Sequence, residues 1–430
     1  MNTLDGITLR PPTGPIDRTV CLPGSKSITN RALLLAAMAH GTSHLDGVLI
    51  ADDTRLMSNA LDVLGVAAML DEETRRANIK GCGGFWPNSE GAIFCGNAGT
   101  VMRFVTAACC IGHGDYRLDG VERMRERPIG ELVEALHDLG ASIAYEGKTG
   151  CCPLNVAARG LRGGVVRFSH APSSQFLSAI LMAAPRAAND VMIEIAGPMP
   201  SMPYVRMTLG VMEAFGVSAV EYGMRKFIVP GMQTYSAANY AVEPDASTAS
   251  YFFAAAAITG GRITVDGLGS ESIQGDIGFT DILEQMGCRV ERKPKSTTVR
   301  GPGDRRLSGI DVDLNHMPDV AQTLGVLAAF ADGPTRIRNV ANLRVKETDR
   351  LHALSTELGR LGVHTEVHKD GITVRPKGLP SPGVIETYYD HRMAMSFALA
   401  GLRLEGMVVR NPRCVSKTFP EFFQLWNELG

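Results

Sequence analysis

No stretch of these 430 residues is apolar long enough to cross a bilayer; the longest runs, such as ALLLAAMA, fall far short of the roughly 20 residues that a spanning helix needs. The start, MNTLDGITLRPPTG, has no basic cluster leading into an apolar stretch, so neither a secretion signal nor a transit peptide is expected and the chain is expected in the cytoplasm. Charge of one sign is also missing: 43 Lys+Arg stand against 45 Asp+Glu, for a net charge of −2. Without a global basic field, nucleic acid is excluded as a partner, and any anion site has to be built locally. The nine cysteines are an odd number with no C-x-x-C pair. Cys95, Cys109, Cys110 and Cys288 sit in apolar segments and are expected as buried free thiols. No His, Cys and carboxylate group has zinc-ligand spacing, and GSKS is not a P-loop because G-x-x-x-x-G-K-S/T is absent. No metal and no cofactor are expected.

What is present is a repeat. The length predicts two or three domains, each able to bury a core. Short helical segments ending in a glycine stop recur at LDVLGV, LHDLGAS, MEAFGVS, LEQMGCRV, LGRLGVH and WNELG. Their glycines, Gly65, Gly140, Gly216, Gly287, Gly362 and Gly430, are about 75, 76, 71, 75 and 68 residues apart. A second, more apolar helix opens each unit, marked by Ser25, Gly99, Ser173, Ser247, Asp319 and His391 at gaps of about 74, 74, 74, 72 and 72 residues. Each start carries residues that favour helix N-termini. Strand-like runs such as HLDGVLI, VMIEIAG, GRITVDGL and TRIRNV lie between, so each unit reads β-α-β-α-β-β. The first helices are apolar nearly all round and are expected inside, with sheets outside. Six such units suit an α/β fold of two three-unit domains, with a hinge near YAVEPDAS.

The starts of buried helices leave N–H groups unmet and carry the positive end of the macrodipole, which favours anions. Donors gather at these starts: Lys26, Ser27 and Arg31; Asn97, Gly99, Thr100 and Arg103; Ser173, Ser174 and Gln175; Arg392. Starts of the second helices add Arg127, Ser201, Tyr204, Lys346, Arg350 and Lys417. GSKS, GNAGT, SSQ or KETDR alone would be an ordinary turn, cap or solvated helix start. Recurrence in register is what argues for a shared site for small polyanions. Asp319 and Glu347 stand in the fifth unit where other units put donors, so they are candidates for proton transfer, with N-capping as the plainer alternative. His391 is expected to cap its helix, and His316 to be structural.

LPGSKSITNRALLLAA, GNAGTVMR, RERPIG, SSQFLSA, RVKETDR, DHRMAM and SKTFP, taken in order, make the sequence resemble the 5-enolpyruvylshikimate-3-phosphate synthases among the enolpyruvyl transferases. The resemblance implies an inside-out α/β fold with six β-α-β-α-β-β repeats. It puts residues 23–241 in one domain and joins residues 1–22 with residues 242–430 in a discontinuous second domain. It also implies transfer of the enolpyruvyl group of phosphoenolpyruvate to shikimate 3-phosphate in aromatic amino acid biosynthesis, by a monomer sensitive to glyphosate. By the matching motifs, Lys26, Ser27, Arg31, Ser173, Ser174, Gln175, Ser201, Tyr204, Asp319, Asn342 and Lys346 would hold shikimate 3-phosphate. Lys26, Asn97, Gly99, Thr100, Arg127, Gln175, Arg350, Arg392 and Lys417 would hold phosphoenolpyruvate. Asp319 is expected as base, Glu347 as acid and Lys26 as a shared acid/base group, with closure of the domains needed for reaction. One departure is Phe104, where many relatives of this kind carry proline. Two alternatives stay open: a UDP-N-acetylglucosamine enolpyruvyl transferase, whose family carries a reactive cysteine in the segment matching VERMRERPIG, and a non-catalytic anion-binding scaffold.

Overall fold

A computed structural model describes residues 6–169, 173–303 and 306–429. The chain divides into two compact units, Gly24–Val242 and a discontinuous one made of Met1–Pro23 with Glu243–Gly430. Among the described residues there are twelve α-helices, two for each repeat. The first unit holds α1 (Lys26–Met38), α2 (Asp52–Val63), α3 (Gly99–Cys110), α4 (Gly130–Asp138), α5 (Ser174–Ala183) and α6 (Pro203–Ala214). The discontinuous unit holds α7 (Ala246–Thr259), α8 (Phe279–Gln285), α9 (Ala321–Ala328), α10 (Arg350–Arg360), α11 (His391–Ala398) and α12 (Phe422–Asn427).

The odd-numbered helices are the buried ones. Every residue of α3 is buried, as is every residue of α1 from Ile28 to Met38 and of α7 from Ala246 to Ile258. The even-numbered helices bury one stripe, as α4 does with Leu132, Val133, Ala135 and Leu136. Each unit has its own core, and Phe104 of α3 belongs to that of the first. The thiols of Cys95, Cys109, Cys110 and Cys288 are free and buried, and burial raises their pKa, so they are inert.

The sheets explain how three repeats close on themselves. In the second repeat, strand Glu90–Phe94 runs parallel to His113–Asp119, which is antiparallel to Leu154–Arg159, which is antiparallel to Ser142–Tyr145. The parallel pair is joined through α3, as a parallel pair requires a crossover. The same order recurs in the third and fifth repeats. In the first and fourth repeats the leading strand comes from outside the repeat. Asn239–Ala241 lies parallel to His40–Asp46, and Asp17–Cys21 lies parallel to Arg262–Asp266. The sixth repeat takes Gly6–Thr8 as the antiparallel partner of Val408–Arg410. The N-terminal strands thus complete the fourth and sixth repeats, and this is why that unit is discontinuous.

The five described repeat glycines end their helices in one way. Gly65, Gly140, Gly216, Gly287 and Gly362 all have positive φ, from +78° to +104°. In each case the next residue's N–H returns to a carbonyl five residues back, as from Val66 to Leu61 and from Val363 to Leu358. This is the Schellman arrangement, and its left-handed backbone favours a residue without a Cβ. Gly430 lies outside the described residues. A paired test follows. Gly287 has positive φ and open space around an added Cβ, so Gly287→Ala should cost about 1 kcal/mol through backbone strain alone. Gly359, inside α10 and also in open space, should gain about 0.4 to 1 kcal/mol on Gly359→Ala. Thermal midpoints shifting in opposite directions would bear this out.

Candidate active site

In the first unit the starts of α1, α3, α5 and α6 are knitted together. Ser25 caps α1 by accepting from the N–H of Ile28, and Lys26 places its Nζ 3.3 Å from the buried carboxylate of Asp53 in the first turn of α2. Arg31, one turn into α1, donates to Oγ1 of Thr208 (2.7 Å), Oγ of Ser178 (3.2 Å) and the carbonyls of Ser27 (2.9 Å) and Tyr204 (3.3 Å). Burial pushes its pKa down to about 10, against the opposing pull of Tyr204 and Tyr240. Asn30 donates to Oγ1 of Thr100 at 3.1 Å, which ties α1 to α3.

The start of α3 has Ala98 at its N-cap, which offers no side-chain acceptor, so the N–H groups that follow lack a side-chain cap. Gly99 comes next, and a Cβ built there would stand 2.5 Å from a terminal nitrogen of both Arg103 and Arg127. Glycine therefore lets two guanidinium groups close over a helix N-terminus. Arg127 donates to the carbonyl (2.9 Å) and Oδ1 (3.0 Å) of Asn97. Arg103 donates to Oε1 of Gln175 (2.7 Å) and the carbonyl of Pro128 (3.0 Å), above the ring of Phe176. Ser173 caps α5 by accepting from the N–H of Gln175, and Ser174 is buried behind it. Ser201 holds a left-handed backbone, φ +60°, and its carbonyl accepts from the N–H of Tyr204 at the entry to α6.

In the discontinuous unit the arrangement is ionic. Arg350, the first residue of α10, is fully buried and donates to Asp390 (2.7 and 3.2 Å), Glu347 (2.8 Å) and Asp319 (3.2 Å). Burial works against its charge, but the carboxylates of Asp390, Glu347 and Asp319 outweigh it and raise its pKa. Asp319 also meets Arg392 (2.9 Å) and Lys346 (3.7 Å), and Glu347 meets Lys417 (4.0 Å). Arg392 reaches the hydroxyl of Tyr251 at 3.3 Å as well. Asn342 precedes Lys346 in the 3₁₀ stretch Ala341–Val345, and its buried Oδ1 has no hydrogen-bond partner among the described residues.

The candidate binding and acid/base residues therefore sit just before, at or about one turn into a helix start of their unit, α-helical or 3₁₀. One expectation changes and one alternative falls away. His391 does not cap α11; Asp390 does, by accepting from the N–H of Arg392, because a carboxylate can accept there while also gripping Arg350. Asp319 and Glu347 are not caps either: Asp319 lies in the 3₁₀ turn that leads into α9, and α10 is capped by Asp349. The structure adds Asp390 and Asp53 to the residues that the sequence motifs point to. An Asp directly before an apolar helix is the usual signal for the first, whereas Asp53 beside Lys26 has no local signal.

A family model described as EPSP synthase (3-phosphoshikimate 1-carboxyvinyltransferase) matches residues 11–426. This chain belongs to the EPSP synthase family. It is 46% identical over 420 residues to the 3-phosphoshikimate 1-carboxyvinyltransferase of Trichormus variabilis, covering 98% of both chains. It is 49% identical over 429 residues to the chloroplastic 3-phosphoshikimate 1-carboxyvinyltransferase of Brassica napus, covering 96% of this chain and 83% of that one. Among solved structures, the EPSP synthase of Acinetobacter baumannii superposes with a TM-score of 0.81 at 29% identity, covering 99% of this chain and 98% of that one. Within this EPSP synthase fold, none of the helices among the described residues is long and apolar enough to cross a membrane.

The ionic cluster carries a stability prediction. Asp390→Ala leaves Arg350 buried with its shortest partner gone and should cost about 3 to 5 kcal/mol. Asp390→Asn keeps an acceptor for the N–H of Arg392 and should cost less. Thermal unfolding of both variants checks the order.

Proposed function

We propose that the chain transfers the enolpyruvyl group of phosphoenolpyruvate to the 5-hydroxyl of shikimate 3-phosphate, giving 5-enolpyruvylshikimate 3-phosphate and phosphate, a step in aromatic amino acid biosynthesis. The observation that carries the residue assignments is the position of Asp319 and Glu347 in the fifth repeat, each held by cations at a place where other repeats present donors. Two carboxylates held in this way suit a reaction that needs both a base and an acid beside polyanions.

Shikimate 3-phosphate would be held by Ser27, Arg31, Ser173, Ser174, Gln175, Ser201 and Tyr204 of the first unit, with Asn342, Lys346 and Asp319 of the other. The buried Oδ1 of Asn342 gives that side chain an acceptor to offer a hydroxyl. Phosphoenolpyruvate would take Asn97, Gly99, Thr100, Arg127, Gln175 and Lys26, with Arg350, Arg392 and Lys417. Arginine suits carboxylate and phosphate because its planar fork donates two parallel hydrogen bonds.

Asp319 would take the proton of the 5-hydroxyl as its oxygen bonds to C2 of phosphoenolpyruvate. Glu347 would give a proton to C3, which completes the tetrahedral adduct. Loss of phosphate from C2, with return of a proton from C3, restores the double bond in the product. Lys26, placed by its contact with Asp53, would share acid/base work and stabilise the adduct.

The second reading, UDP-N-acetylglucosamine as acceptor, is disfavoured because the segment VERMRERPIG has no cysteine. Phosphate release should require phosphoenolpyruvate and shikimate 3-phosphate together, and UDP-N-acetylglucosamine should not replace the latter. No release with both present would reject the proposal. Gly99→Ala should raise the KM for phosphoenolpyruvate by about tenfold or more, since the added methyl displaces the ends of Arg103 and Arg127. The KM for shikimate 3-phosphate should move far less; equal changes in both would reject the assignment.

A further inference from the structure

Arg31 is a buried cation with no carboxylate partner among the described residues. It is 1% exposed, and among the described residues its hydrogen-bond partners are the neutral oxygens of Thr208, Ser178, Ser27 and Tyr204. Such oxygens orient a guanidinium but do little to offset the desolvation of its charge. The ring of Phe104 also lies against it, its centroid 4.9 Å from Cζ of Arg31. Phe104 is buried as well, so the stack is dry, the setting in which cation–π attraction is strongest.

The stack is fixed by helix geometry. Thr100 and Phe104 lie one turn apart on the same stripe of α3. Thr100 accepts from Asn30, and Phe104 lies against the adjacent Arg31, so α1 and α3 are joined at two successive levels. A carboxylate could also hold the guanidinium, as Asp390 holds Arg350, but it would cancel its charge. An aromatic face holds it and leaves the full charge for a ligand.

We propose that Phe104 is a positioning residue for the acceptor substrate: its ring is the platform that fixes the Arg31 guanidinium for the anionic groups of shikimate 3-phosphate without neutralising it. This rests on the reading of Arg31 as an acceptor-binding arginine. An apolar side chain of similar volume would fill the core at this position but would give the guanidinium no electron-rich face.

The test replaces Phe104 in the full chain with 4-fluoro-, 3,5-difluoro- and 3,4,5-trifluorophenylalanine, which drain the π face stepwise with little change of shape. Phe104→Leu removes the face altogether. The KM for shikimate 3-phosphate should climb along the series, reaching roughly tenfold at trifluorophenylalanine and at Phe104→Leu. The KM for phosphoenolpyruvate and the thermal midpoint should stay level along the fluorinated series. A flat KM for shikimate 3-phosphate, or a change confined to the thermal midpoint, would make Phe104 a core residue and overturn the proposal. If the unsubstituted protein turns over the two substrates and the series is flat, the inference alone fails. If the unsubstituted protein does not turn them over, the functional reading fails and this inference with it.

Discussion

A helix buried on every side cannot give its first N–H groups to water. That constraint shapes both units, because α1, α3 and α7 are buried along nearly their whole length. Their starts must be met by caps, by neighbouring side chains or by a ligand. Ser25, Ser173, Asp245 and Asp390 cap four of the six first helices. At α3 the N-cap is Ala98, the next residue is Gly99, and two guanidinium groups stand over the opening. The sheets and the half-buried second helices then serve to enclose these helices, and strands borrowed from outside the repeat close the enclosure.

The two units handle their arginines in opposite ways. In the discontinuous unit, Arg350 is surrounded by Asp319, Glu347 and Asp390, and Asp319 in turn meets Arg392 and Lys346. In the first unit, Arg31 and Arg127 find only neutral oxygens among the described residues, and Arg31 also finds an aromatic face. Buried paired charges are held rigidly, although their desolvation still costs free energy, whereas buried cations without a carboxylate cost more and stay available to a ligand. A reaction between two polyanions needs both: arginines that keep their charge for the substrates, and carboxylates held in place to move protons.

Much of this was legible in the sequence because the repeat is local in its signals. Glycines after Leu64, Leu139 and Leu361 marked helix ends, and their positive φ is the physical reason they recur. Ser25 and Ser173 marked helix starts in the same way. Long-range pairing was not legible. Nothing in residues 17–21 says that they lie beside residues 262–266, since the partner is set by which repeat lacks a leading strand. Asp390 stands one residue before the motif's histidine, and only the fold shows that its two oxygens both cap α11 and hold Arg350. Phe104 stands out in the sequence only as a residue where related sequences carry proline; that its ring carries an arginine depends on the packing of α1 against α3.

The central claim is that the carboxylates of the fifth repeat turn a set of anion-binding helix starts into an enzyme. It is tested most directly by running the reaction in D₂O and following deuterium in the vinyl methylene by proton NMR. The unsubstituted protein should place deuterium at that carbon in both product and recovered phosphoenolpyruvate. A folded Glu347→Gln protein that still binds shikimate 3-phosphate should place almost none there. Deuterium entering at the normal rate in that variant would contradict the account.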